Sequence, residues 1–152
     1  MTEEKSLKKI KEIIGEFFTK TGLALSVMVA LGENNTILVE IDSEDPKILI
    51  GQNGQILNDI QYLLKNVLSH SLLEQINVDL DINNYKKNKY SYLRSMAREA
   101  ADEVALTKIE KELSPMAPYE RRVVHIELAQ RQDIKTESIG EGFERRIIIK
   151  PK

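Results

Sequence analysis

The sequence predicts an α+β protein built from two small domains, residues 1–83 and 84–152. Three observations predict it. Apolar residues switch repeatedly between steps of three and four, which mark helices, and steps of two, which mark strands. The tetrapeptide Gly51-Gln52-Asn53-Gly54 lies between two apolar segments, Ile48-Leu49-Ile50 before it and an amphipathic run after it. The charge is also uneven: residues 1–83 carry 7 Lys and Arg against 13 Asp and Glu, whereas residues 84–152 carry 15 against 11. An acidic half followed by a basic half suggests two modules with different electrostatic tasks, although chance variation between surfaces gives the same pattern.

The elements follow in order. Leu7, Ile10, Ile13, Ile14, Phe17 and Phe18 recur at helical spacing, and Gly22 is a plausible stop. Leu25, Val27, Val29 and Leu31 alternate, as do Ile37, Val39 and Ile41 after Gly32-Glu33-Asn34-Asn35, which reads as a β-hairpin. Asp45-Pro46 reads as a helix start, with Asp45 as N-cap and Pro46 in the first turn. That short helix ends at Gly51. Leu57, Ile60, Leu64, Val67 and Leu68 mark the core stripe of the next helix, and Ile76, Val78, Leu80 and Ile82 alternate as a third strand. The order through residue 83 is α-β-β-α-α-β with a three-stranded sheet.

Lys86 to Leu113 contains neither Pro nor Gly, and Tyr90, Leu93, Ala97, Ala100, Ala101, Val104 and Ile109 form one long helical stripe, broken by Pro115 and Pro118. This helix bridges the expected domain boundary near residues 83–90. Tyr119 to Gln130 reads as a further helix with Pro118 in its first turn. Thr136-Glu137-Ser138 and Arg145 to Lys150 read as two strands joined across Gly140-Glu141-Gly142.

Several classes of function are excluded or disfavoured. The chain has no cysteine, hence no disulfide or thiolate metal site, and its only histidines are His70 and His125, hence no zinc constellation. The Gly-x-x-x-x-Gly-Lys phosphate cradle is missing, and no nucleophile stands in a recognisable pattern with a base. Asp42, Glu44 and Asp45 read as helix-start charges. A non-catalytic protein without cofactor is expected. The start, Met1-Thr2-Glu3-Glu4-Lys5, is polar and acidic, unlike a signal peptide, and no apolar run approaches the roughly 20 residues that cross a bilayer. A cytoplasmic protein without membrane insertion is the natural expectation.

Two glycines three apart at a helix start allow a sharp turn and a close approach of another backbone. With the α-β-β-α-α-β order around it, the Gly-x-x-Gly loop resembles that of a KH domain of the prokaryotic type. The resemblance implies a clamp on the backbone of about four single-stranded nucleotides, held by Gly51, Gln52, Asn53 and Gly54. Gln52 and Asn53 depart from the Lys or Arg that often fill the middle positions; they donate hydrogen bonds but add no charge, so the clamp is expected to grip weakly alone. Ile50 and Leu57 beside it are placed to support bases, though periodicity alone explains them as core.

In the second half, Arg121 and His125 stand at i and i+4, on one helix face. The segment Pro115-Met116-Ala117-Pro118-Tyr119-Glu120-Arg121-Arg122-Val123-Val124-His125 resembles the signature of the R-three-H domain, named for its Arg-x-x-x-His spacing, as does Thr136-Glu137-Ser138-Ile139-Gly140-Glu141-Gly142 followed by Arg145-Arg146. A KH-like domain followed by this small α/β domain is similar to the C-terminal part of the bacterial Jag family, whose longer members carry a further N-terminal domain not expected in this chain. The resemblance implies RNA binding, a part in the control of cell elongation and envelope synthesis, and a small KH-only partner. It also implies that Arg121 and His125 contact single-stranded RNA, or single-stranded DNA. Arg121 offers a fork of donors for phosphate, and His125 donates to phosphate or stacks on a base. From the residues alone, Val124 and Leu128 beside His125 favour a half-buried, internally satisfied histidine. Arg122, Arg145, Arg146 and Lys150 complete the candidate basic surface, with at most one of Arg145 and Arg146 on the side of Arg121, because adjacent strand residues face opposite ways. Lys86, Lys87, Lys89, Arg94 and Arg98 read as a solvated face, with a phosphate track as the alternative. Against RNA binding stands a protein–protein scaffold that keeps both folds, motivated by the uncharged clamp and the acidic first half.

Overall fold

The computed structural model describes residues 3–152; the polar start at Met1 and Thr2 lies outside the described residues. The chain divides into two compact units, the first ending at Lys86 and the second running Lys87–Lys152.

The first unit is α1 (Glu3–Thr19), β1 (Leu25–Leu31), β2 (Thr36–Ser43), α2 (Pro46–Ile50), α3 (Gln55–Leu72) and β3 (Asn77–Ile82). β1 and β2 form an antiparallel hairpin with Leu31 opposite Ile37. Its turn places Asn34 and Asn35 at φ 51° and 57°, a conformation their short polar side chains tolerate better than most. β3 lies parallel to β2, Val39 opposite Leu80, so the chain between them must cross over, and α2 and α3 make that crossover. One face of the sheet is apolar: Ile37, Val39, Ile41, Val78, Leu80 and Ile82 pack with Ile10, Ile14 and Phe18 of α1 and Leu57, Leu64 and Leu68 of α3. Asn83 ties the strand ends together, accepting from Ser43 N–H and donating to Ser43 O, both at 2.8 Å.

Two expectations need correction here. Asp45 does precede α2, but its side chain makes no capping hydrogen bond; its own N–H donates to Ser43 Oγ at 3.2 Å instead. Val67 is exposed rather than core, since the stripe of α3 follows Leu57, Leu64 and Leu68 and Val67 sits one position off it.

The second unit uses α4 (Tyr85–Thr107, whose first two residues belong to the first unit), β4 (Lys111–Glu112), α5 (Pro118–Leu128), β5 (Ile134–Ile139) and β6 (Arg146–Pro151). β6 is central and antiparallel to both β4 and β5. Ala97, Ala100, Ala101 and Val104 of α4 meet Leu113, Val124, Leu128, Ile134, Ile147 and Ile149 in its core. The small alanines let the helix approach closely. The long helix ends sooner than the missing Pro and Gly suggested. Lys108 takes φ 60° and its N–H closes the last turn on Val104 O at 2.9 Å. Thr107 Oγ1 donates back to Glu103 O at 2.8 Å and accepts from Ile109 N–H at 3.3 Å. Ile109 is therefore exposed outside the helix, and the chain turns into β4, a strand too short to leave a periodic signal. Among the described residues, no helix is long and apolar enough to cross a membrane.

Candidate nucleic-acid interface

The glycine loop is a single 3-10 turn, Gln52–Gly54, wedged between α2 and α3. Its backbone is unusual at three of four positions. Gly51 takes φ 70°, ψ −175°, a region essentially closed to other residues; Asn53 takes φ 54° and Gly54 φ 78°. Gly51 N–H closes on Lys47 O at 3.0 Å. The space a Cβ would need is already filled from within the unit: at Gly51 it would lie 2.6 Å from Ile56, and at Gly54 3.0 Å from the Tyr85 ring. Gly54 is buried, whereas Gln52 and Asn53 are exposed. The glycines are thus required by the fold, and the loop offers two uncharged amides to solvent at the N-terminal end of α3, where the helix dipole favours an anion. Leu57, 1% exposed, is core and faces no base; Ile50 is packed against the same core. The exposed apolar residues beside the loop are Ile48 at 54% and Ile56 at 42%, neither singled out by periodicity.

In the second unit, α5 is started by Pro118 and by Glu120, which is 8% exposed. Glu120 Oε2 accepts from Ala117 N–H at 2.8 Å, and its Oε1 pairs with Lys89 Nζ at 2.7 Å. This anchors the first turn, from which Arg121 reaches Met116 O through Nη1 at 2.6 Å. Met116 N–H in turn donates to Arg145 O at 3.3 Å, so Arg121 and the end of the β5–β6 turn are joined through one residue. One helical turn on, His125 Nδ1 bonds Thr136 Oγ1 of β5 at 2.6 Å, which leaves Nε2 as the ring's remaining polar atom. His125 is half-buried. Burial first, and the charge of Arg121 second, hold its pKa below the usual 6.5, so the ring is neutral at pH 7.

The strand register separates the two consecutive arginines. Thr136 opposes Ile149 and Ser138 opposes Ile147, and these isoleucines are in the core beneath the helices. Arg145 Nε donates to Ser138 Oγ at 2.9 Å and belongs to that same side. Arg146 opposes Ile139 and Lys150 opposes Lys135 on the other side. There Arg146 pairs with Glu112 at 2.9 Å and Lys150 with Glu137 at 3.1 Å. Arg121, His125 and Arg145 are therefore brought together, Arg122 is exposed on α5, and Arg146 and Lys150 are turned away and paired.

The R-three-H domain family matches residues 91–151, which hold every one of these side chains. A protein of Clostridium symbiosum named RNA-binding protein KhpB is 34% identical over 145 residues, covering 95% of this chain and 65% of its own length. The Bacillus subtilis protein of the same name is 34% identical over 119 residues, covering 77% of this chain and 57% of its own. The Lactiplantibacillus plantarum one is 29% identical over 116 residues, 76% of this chain and 36% of its own. The chain belongs to the Jag family. It spans less than two thirds of the length of these Jag-family relatives.

Sequence reasoning missed the partners that hold this Jag-family site in place: Met116 O, Thr136 and Ser138 as hydrogen-bond partners, and Glu120 as the anchor of α5. The alternation of β5 contained the signal for Thr136 and Ser138, but it took the register to show which side they share with His125. The basic run at the start of α4 is largely neutralised within the fold. Lys86 pairs with Asp79 at 2.9 Å and Gln61 at 2.7 Å, Lys89 with Glu120, and Arg94 and Arg98 with Glu127. Such pairing speaks against a phosphate track there. Among the described residues, no group of three or more His, Asp or Glu is arranged to hold a metal ion.

Proposed function

We propose that this chain binds single-stranded RNA in the cytoplasm, through a KH-type clamp in residues 1–83 and an R-three-H surface in residues 84–152. The observation that carries the reading is the convergence of Arg121, His125 and Arg145 on one side of the β5–β6 sheet, tied through Met116 and Thr136. Their geometry suits a phosphate at the two guanidinium groups and a base or phosphate oxygen at His125 Nε2. The α-β-β-α-α-β order and the strained turn at residues 51–54 support the clamp, in which Gln52 and Asn53 side chains and the N–H groups opening α3 receive one backbone phosphate. With no cation in the turn, the clamp positions the strand and the R-three-H surface supplies most of the charge.

The relatives named RNA-binding protein support RNA over DNA, and oligomers of both kinds decide it. A regulatory part in cell elongation and envelope synthesis, and pairing with a small KH-only protein, follow for this chain from its Jag-family membership. The exposed apolar side chains of α3, Ile56, Leu63 and Val67, form a stripe suited to such a partner and are also the feature that favours the scaffold reading.

The test is fluorescence anisotropy of short labelled RNA at two salt concentrations. Gly54→Asp is a poor probe, because φ 78° and the Tyr85 ring make any side chain there a folding problem. Asn53→Asp keeps a backbone that Asp tolerates and adds only charge. Arg121→Ala and Asn53→Asp are each expected to weaken binding in a folded protein. Affinity that is weak in the native chain, insensitive to salt and unchanged in both variants would establish the scaffold instead.

A further inference from the structure

The turn joining β5 to β6 carries an aromatic side chain that the site above does not use. Phe143, at the centre of the 3-10 turn Gly142–Glu144, is 103% exposed, the highest value among the large apolar residues described. Burying a phenylalanine is worth roughly 1.5–3 kcal/mol, so full exposure earns the fold nothing. The turn is nevertheless built to hold the ring out. Glu144 N–H donates to Glu141 O at 3.2 Å and Arg145 N–H to Gly142 O at 3.3 Å. Arg146 Nη1 donates to Glu144 O at 3.1 Å while its Nε is held by Glu112. Gly140 takes φ 84°, and a Cβ on it would lie 2.9 Å from Glu144 O, so the chain folds tightly back on itself at the base of the turn. The next most exposed apolar residues, Leu73 and Leu106, have no π-face to offer.

We propose that Phe143 is a stacking platform for an unpaired nucleobase, a contact that extends the surface of Arg121, His125 and Arg145. This rests on the single-strand reading above. Arg145 follows two residues later, at most about 7 Å along the chain, and is joined through Met116 to Arg121. Glu141 and Glu144 flank the ring and repel phosphate. The tip therefore takes a base, and the backbone of the same strand lies toward the arginines. Every base has a face that an aromatic ring accepts, so the contact adds affinity without demanding a sequence.

The chain has no tryptophan, so Phe143→Trp places a single indole at the site. Its fluorescence is followed while unlabelled RNA and DNA oligomers of one sequence are added, and anisotropy of labelled oligomers is measured in parallel for the native chain, Phe143→Ala and Phe143→Leu. Circular dichroism confirms that each variant is folded. The expected result is indole quenching that saturates with the anisotropy, binding retained in Phe143→Trp, and affinity lowered about 5- to 150-fold in Phe143→Ala and Phe143→Leu. Quenching by RNA, by DNA or by both supports the site and names its ligand. Oligomer binding with unchanged indole fluorescence and native affinity in Phe143→Ala overturns the stacking contact while the single-strand reading stands. Loss of self-association in Phe143→Ala with oligomer affinity intact overturns it in favour of protein docking. If no oligomer binds any variant, the single-strand reading falls and the platform with it.

Discussion

The glycine turn of the first unit and the arginine–histidine face of the second hold their chemistry in opposite ways. At residues 51–54 the backbone is special and the side chains are plain: three of four residues have positive φ, and the exposed groups are two neutral amides. Around α5 the backbone is ordinary helix and strand, and the side chains are special. There the fold neutralises most of its cations internally, at Lys89, Arg94, Arg98, Arg146 and Lys150, and leaves Arg121, Arg122 and Arg145 without a carboxylate partner among the described residues. In the turn, fold and function depend on the same glycines and cannot be separated by mutating them. On the R-three-H face they can be separated, because the groups that shape the site and the groups that meet phosphate are different residues.

This contrast sets the order of expected effects. Gly51→Ala is the largest. Its Cβ would lie 2.6 Å from Ile56 at a φ and ψ closed to alanine, so a stability loss of about 1–3 kcal/mol is expected in urea unfolding; native stability would show that the turn relaxes freely. Arg121→Ala comes next. It leaves the fold cooperative but removes a charge-assisted contact worth roughly 1.5–3 kcal/mol, read as a 10- to 150-fold weaker RNA complex by anisotropy. Asn53→Asp is smaller, an increase in dissociation constant of several fold at low salt that fades at high salt; an effect that survives high salt would point to lost shape rather than charge.

His125 gives a pH test of the second region. Burial and Arg121 hold its pKa below 6.5 in the folded chain, so as pH falls through 6.5 the unfolded state takes up the proton first and the folded state loses stability. A phosphate beside the ring favours the proton, so RNA should bind more tightly over that same fall and should raise the His125 pKa followed by NMR. A pKa that ignores RNA would place the ring away from the strand. Arg146→Ala is the smallest: its guanidinium is paired with Glu112 on the other side of the sheet, and RNA affinity should stay within about twofold.

Much of the fold was legible because the elements that matter are long and periodic. The hairpin, the crossover helices and the α5–β5–β6 succession all follow from spacing and turn residues. The end of α4 was not legible, because Thr107 and Lys108 cap it without Gly or Pro, and β4 has only two residues. At the site, the spacing placed Arg121 and His125 on one face, and strand alternation limited Arg145 and Arg146 to one between them. Choosing Arg145 needed the register against Ile147 and Ile149, which depends on long-range pairing. Phe143 escaped notice because a lone aromatic in a turn has no periodic neighbours, and its exposure is a property of the folded chain alone.

The central claim is that charge for the nucleic acid comes from the R-three-H face while the glycine turn positions the strand. The slope of log affinity against log salt, measured for the native chain, for Arg121→Ala combined with Arg145→Ala, and for Gln52→Ala, tests it most directly. Each phosphate released from a single strand changes that slope by about 0.7. The account predicts a slope shallower by about 1.4 in the double arginine variant, and a native slope with weaker binding in Gln52→Ala. An unchanged slope without the two arginines, or a shallower one without Gln52, would contradict it.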